Sequence, residues 1–415
     1  MYFSFNLKHL TFLGLFFISS IALANDCSSI VDTKSAYECI LENHPDFRSA
    51  ELTKESANAS YSKATQWPNP ELTAKSVAGD NAGEKVGGTE LSLSISITDL
   101  LIKRYAFSKN GRAEEKAALV DAEDQSFKVK SSIVKDLYRY RQLLNELELT
   151  EEAISTFDKI EHQFRSRQSR GPEQEITLNL VELAQGDYQL KKNHLAVEKS
   201  EIESKFKGVL GSKFVLKKDI LPQLKQSWPE ISAAQVSKNT LELRKIESEK
   251  DKLESEKSLA IAESWPKISA GPVMERTTEG PNQFNSYGFN VNVDIPIFSL
   301  NGGSRELANK NLLKAQLQYD YALKKAELER ELLIQKYQSA VESLKKSTTA
   351  EALKRKHAQI DGYFRQGLTS GSTVIEAHRQ IAEFTESQHE HEMVALESLM
   401  YLYLLSGKDP SEVIK

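Results

Sequence analysis

Two short stretches of this chain alternate between apolar and polar residues with a period of two. Between Thr89 and Ile97, Leu91, Leu93, Ile95 and Ile97 fall on one side of an extended backbone, and Ser92, Ser94 and Ser96 fall on the other. Further on, Phe289, Val291, Val293 and Ile295 alternate with Asn290, Asn292 and Asp294. This pattern predicts strands with one apolar and one polar face. Weaker alternation over Glu71 to Ala78 and Ile268 to Glu275 predicts a partner strand before each, so the strand regions run over about 71–97 and 267–297. Turn formers from Gly79 to Gly88 and from Thr278 to Gln283 predict the connecting loops.

Most of the remaining chain carries helical patterning. From about Arg104 to Gln168, and again from Gly303 to Gln366, Ala, Leu, Glu, Lys and Gln dominate and proline is absent. Either stretch would reach nearly 100 Å as one helix at a rise of about 1.5 Å per residue. Shorter helices are predicted over roughly Thr33 to Gln66, Pro172 to Leu210, Ser232 to Ser264 and Ser372 to Leu405. Their narrow apolar stripes and extensive charged surface suit long hairpins packed as coiled coils.

These elements recur. Trp67-Pro68 returns as Trp265-Pro266, Ile97 as Ile295, Phe164-Arg165 as Phe364-Arg365, and Gly171 as Gly371, all at nearly one spacing. The chain is thus expected to hold an internal duplication. Its first repeat spans 25–211, a linker 212–231 and its second repeat 232–415, each running helix, strand, strand, long helix, helix.

The first residues predict export. Lys8 and His9 precede an apolar run from Leu10 to Leu23, and Ala22 and Ala24 are the small residues of a cleavage site, so 1–24 reads as a signal peptide. The run falls short of the roughly 20 residues that a membrane-spanning anchor needs. Cys27 and Cys39 are the two cysteines; in an oxidising compartment they form one disulfide, or else they stay free thiols. A net charge of −5 without a basic stripe argues against nucleic-acid binding.

An exported chain with no long apolar helix beyond its leader can cross a membrane only with strands. Leu91, Leu93, Ile95, Phe289, Val291 and Val293 would then face lipid, while Ser92, Ser94, Ser96, Asn290, Asn292 and Asp294 face a wet lumen. Four strands cannot close a barrel, since the smallest use about eight. Partner copies are required on these grounds alone.

The Ala36 to Ala64 segment, with Asn43-His44-Pro45-Asp46, and then Trp67-Pro68-Asn69-Pro70-Glu71-Leu72 resemble the opening helix and first-strand entry of the TolC family of outer-membrane efflux channels. Asp294-Ile295-Pro296-Ile297-Phe298, then Gly302-Gly303 and Arg305, resemble that family's exit from its fourth strand. Phe364-Arg365-Gln366-Gly367-Leu368, through Val374-Ile375-Glu376-Ala377, resemble its periplasmic tip. The resemblance spans the predicted mature chain. It implies a homotrimer whose twelve strands form one barrel among outer-membrane lipids, with an α-helical barrel in the periplasm. A periplasmic membrane-fusion adaptor would dock at the tip, near Gly367, Leu368, Gly171 and Arg167, and link it to an inner-membrane pump. Glu376 matches a position where the family often places a gate carboxylate, whereas Thr373 stands where another acid is common.

The implied function is a passive exit duct of a tripartite efflux or type I secretion system. The competing expectation is a periplasmic coiled-coil spacer with a small soluble sheet. No catalytic motif and no cofactor site is evident. His389-Glu390-His391 is set aside as a metal site, because residues two apart on a helix diverge, and no metal is expected.

Overall fold

The structure, a computed structural model, describes residue 27 and residues 30–81, 84–169, 171–225, 227–296 and 300–414. The expected signal peptide and the expected strand end at Ile297 lie outside the described residues. The described chain is mainly helical, with one four-stranded antiparallel sheet.

Helices α1 (Thr33–Asn43) and α2 (Pro45–Ala64) divide the first expected helix. Pro45 forces this break: the residue before a proline is driven out of helical geometry, and His44 has ψ of 122°. Pro45 then occupies the first turn of α2, where its missing N–H costs nothing. Strands β1 (Glu71–Asn81) and β2 (Glu84–Ser96) follow, then a π-helical turn over Thr98–Lys103. Helix α3 (Arg104–Arg165) runs unbroken for 62 residues, about 93 Å long at 1.5 Å per residue. It turns back as α4 (Pro172–Leu210).

The second half contains α5 (Leu241–Ala262), β3 (Lys267–Glu279), β4 (Asn282–Asp294), α6 (Gly302–Lys346), α7 (Ala350–Arg365) and α8 (Gly371–Leu405). The expected second long helix is therefore broken. Ser347 and Thr349 account for the break. The Ser347 hydroxyl donates to the Leu344 carbonyl at 2.7 Å, and the Thr349 hydroxyl accepts from the Ala352 N–H at 3.3 Å. Both side chains compete with the helix ladder and favour a stop and a restart.

The strands run β1-β2-β3-β4. Glu71 pairs with Ser94, Ser92 with Val273, and Met274 with Tyr287. The strands extend well into the segments expected as loops: β1 reaches Asn81 and β2 starts at Glu84, and β3 reaches Glu279 and β4 starts at Asn282. Pairing between β2 and β3 is interrupted between Ser92↔Val273 and Ile95↔Ala270. Pro272, which has no N–H to donate, sits in that gap. Thr98 sews the base of the sheet to the helices: its hydroxyl donates to the Pro266 carbonyl and accepts from the Ile268 N–H, each at 2.8 Å.

The main core lies near the middle of α3, where α4 and α8 end, away from the strands and from the α3–α4 and α7–α8 turns. Leu137, Leu143, Leu396, Leu399 and Leu402 are fully buried there, each worth roughly 2 kcal/mol of apolar burial. Segment 212–231, expected as a linker, contributes Leu216, Ile220, Leu221 and Trp228 to this core. Cys27 and Cys39 are joined as a disulfide beside α1, with Cα atoms 6.0 Å apart. A second, smaller core nearer the tip contains Phe157, Ile160, Val181, Tyr188 and Val374. Between these cores sit buried charges. Glu146 receives hydrogen bonds from Arg139 at 2.9 Å and His389 at 2.6 Å, while Arg139 also pairs with Glu198 at 2.7 Å. Arg141 pairs with the buried Glu392, which also accepts from Gln142 at 2.8 Å.

Candidate functional sites: the two-faced sheet and the helical tip

The strand register separates the side chains into two sets. Leu72 pairs with Leu93, Leu91 with Met274, Pro272 with Phe289, Ala270 with Val291, and Ile268 with Val293. Paired residues share a face, so Leu91, Leu93, Ile95, Phe289, Val291 and Val293 lie together on one side. The other side gathers Ser92, Ser94, Ser96, Asn290, Asn292 and Asp294, with Thr73, Ser269 and a Lys75–Glu90 ion pair of 3.7 Å.

Along β2 exposure runs opposite to that of a soluble half-buried sheet, while along β4 residues of both faces are exposed. Ser92 and Ser96 are buried, at 5% and 8% exposure, whereas Leu91 and Phe289 are 45% and 69% exposed. Much of the apolar side is uncovered, although Ala270 is buried, and among the described residues the outer edges of β1 and β4 are unpaired. Three of the strands have 13 residues, enough to cross a hydrocarbon layer that needs about 9–11 tilted residues. Trp67 and Trp265, at 68% and 53% exposure, stand just before β1 and β3 at the same end of the sheet. No helix among the described residues is long and apolar enough to cross a membrane.

At the opposite end of the long helices, α7 turns into α8. The Gly367 N–H donates to the Phe364 carbonyl and the Leu368 N–H to the Tyr363 carbonyl, both at 2.9 Å. This is a Schellman motif, and it requires the left-handed φ of 72° that Gly367 adopts. The apolar residue after such a glycine often folds back on its helix, but Leu368 is 69% exposed. At the neighbouring corner, Gly171 caps α4 with an ordinary extended φ of −76°, and Arg167 lies over the Phe164 ring at 5.0 Å. Gly371, the sequence counterpart of Gly171, has a different task. A Cβ there would press on Thr177 Cγ2 at 3.0 Å and Ile160 Cγ2 at 3.3 Å, so its smallness lets the two hairpins close on each other.

Glu376 is exposed one turn into α8. Arg379 donates to it at 2.7 Å and Gln380 at 2.8 Å, and Arg379 also reaches Glu383 at 2.5 Å. The Arg379 guanidinium holds the Glu376 carboxyl below the usual carboxylate range. This expected gate residue therefore carries its counter-ion with it, and the tip places Gly367, Leu368 and Glu376 within one helix–turn–helix.

The sequence pattern does not single out His357, Asp361 and His378, which converge between α7 and α8. His357 and Asp361 are one turn apart on a helix, a metal-ligand spacing, but their partner lies across the hairpin. His389 and His391 diverge as expected: His389 is buried against Glu146, and His391 is exposed.

The chain matches no protein-family model and no curated protein. Solved structures do match it. The open state of the Neisseria gonorrhoeae MtrE outer membrane channel superposes with a TM-score of 0.70 at 12% identity, over 91% of this chain and 89% of that one. The outer membrane protein VceC of Vibrio cholerae gives 0.69 at 12% identity, over 90% and 97%. The Campylobacter jejuni CmeC outer membrane channel gives 0.66 at 17% identity, over 91% and 88%. This chain has the fold of those outer-membrane proteins. The likeness takes in both the sheet and the helical hairpins, since nine-tenths of the chain is covered, and at these identities it is a likeness of fold.

Proposed function

We propose that this protein is a passive outer-membrane exit duct of a tripartite efflux or type I secretion system. Three copies pool their strands into one twelve-stranded barrel, and the helices continue as a tunnel through the periplasm. The observation that carries this reading is the two-faced sheet, with Ser92 and Ser96 buried, Leu91, Phe289 and Val291 uncovered, and both outer edges unpaired among the described residues. An open edge in lipid would leave several kcal/mol of unmet hydrogen bonding per group, and pairing β1 of one copy with β4 of the next removes it. The tryptophans before β1 and β3 suit the aromatic girdle of such a barrel. At the tip, the exposed Leu368 on its Gly367 corner offers an apolar knob to a periplasmic adaptor, with Arg167 beside Phe164 on the neighbouring corner. Glu376 would contribute one carboxylate per copy to the entrance. The duct itself performs no chemistry.

The two faces provide the test. Single cysteines replacing Val291 or Asn292, in protein embedded in outer membranes, are exposed to a water-soluble maleimide. The N292C variant is expected to label readily and V291C to label only after detergent extraction. Equal labelling of both in membranes would overturn the barrel in favour of a soluble sheet.

A further inference from the structure

We propose that His357, Asp361 and His378 form a binding site for a divalent transition-metal ion of the zinc class, which clamps α7 to α8 behind the tip. The Nε2 atoms of the two histidines face each other at 2.9 Å, and Asp361 Oδ2 lies 3.9 Å from His357 Nε2. One ligand atom from each residue lies within 4.8 Å of the other two. A tetrahedral zinc ion with bonds of about 2.0–2.1 Å sets its ligand atoms roughly 3.3 Å apart, between the two spacings observed. Both imidazoles are buried, at 6% and 4% exposure.

The hydrogen bonds around the cluster fit a metal better than a direct histidine pair. His378 Nδ1 lies 3.0 Å from the Val374 carbonyl, which can only accept, so Nδ1 holds the proton and Nε2 is left with a lone pair. A direct bond between the rings would put the His357 proton on Nε2. Its Nδ1 lone pair would then confront the Glu152 carboxylate at 3.7 Å. An ion between the rings reverses this. His357 then binds through Nε2 and directs Nδ1–H towards Glu152, the carboxylate–histidine–metal arrangement that orients ligating imidazoles. Asp361 Oδ1 is buried without a hydrogen-bond partner among the described residues, so this oxygen is free to be satisfied by an ion. The charges fit as well: two neutral imidazoles and one carboxylate leave one positive charge, which Glu152 offsets. A cavity of about 530 Å³ between α3, α7 and α8 is lined by His357 and Asp361 and leaves room for a water as fourth ligand.

The clamp would act on the tip. Helix α7 has 16 residues, is cut off from α6 at Ser347–Thr349, and ends in the Gly367 corner. An ion bridging His357 and Asp361 of α7 to His378 of α8 would fix the angle at which that corner is presented.

The test is equilibrium dialysis of tag-free, full-length protein in detergent against buffered micromolar Zn²⁺, with bound metal measured by atomic emission. One ion per chain is expected in the wild type and in His391→Ala. Both His378→Gln and Asp361→Asn are expected to bind at least tenfold more weakly while keeping their helical circular dichroism. Co²⁺ in place of Zn²⁺ is expected to show the intense visible absorption of a tetrahedral site, lost in His357→Gln. A wild type that retains no zinc, or zinc uptake undiminished by His378→Gln, would overturn the proposal.

Discussion

Among single residues, Glu146 is a buried carboxylate that accepts from both Arg139 and His389. Burial alone would raise its pKa, but hydrogen bonds from His389 and Arg139 outweigh burial and hold the carboxyl below the usual range. Removing one partner of a buried charge cluster costs about 3–5 kcal/mol, so Glu146→Ala is expected to lower the thermal midpoint by several degrees at neutral pH. The sign of the pH dependence follows from the depressed pKa. The stability that Glu146 lends is complete above the ordinary carboxylate value of about 4.3. It is lost as pH falls through the lower, folded value. Wild-type and variant melting curves should therefore converge on acidification, and a gap that persists or widens in acid would refute this role. None of this network was visible in the sequence, because its partners come from α3, α4 and α8 and no local spacing joins them. His389 drew notice only as half of a rejected metal motif.

Elements were more legible than contacts. The helical period located α3, α4 and α8 to within about three residues, since long amphipathic runs without proline offer no competing structure. Three features escaped the pattern. The hairpins carry strand pairing through glycine-rich segments that read as loops, because the ladder beside β2 supports them. Ser347 and Thr349 split the second long helix through side-chain hydrogen bonds that composition does not reveal. Segment 212–231 reads as a linker, yet Trp228 and its neighbours are held in the core by distant helices. At the tip the Gly367 turn was legible, while the different uses of Gly171 and Gly371 depend on how the hairpins meet. Two substitutions separate the proposed tip functions. Leu368→Glu is expected to cut adaptor capture at least tenfold with the oligomer intact. Glu376→Ala is expected to leave capture unchanged and to reduce cation preference in bilayer conductance. Unaltered capture by Leu368→Glu would remove the docking role from that corner.

For the whole molecule, the two-faced sheet and the helical hairpins answer to different surroundings. Ion pairs such as Arg244–Glu123 at 2.6 Å and Lys116–Asp251 at 2.7 Å lace α5 to α3 in a wet setting. The exposed Leu91, Phe289 and Val291 require an apolar one. Alternation in the sequence was enough to assign residues to the two faces, because a period of two fixes the side once the strand exists. The proposal of partner copies rests on the unpaired outer edges of β1 and β4 among the described residues, which have no sequence signature of their own. The most direct measurement is the native mass of the protein extracted from outer membranes in mild detergent. The account predicts the mass of three chains and no protein in the soluble periplasmic fraction; a soluble monomer or dimer would contradict it.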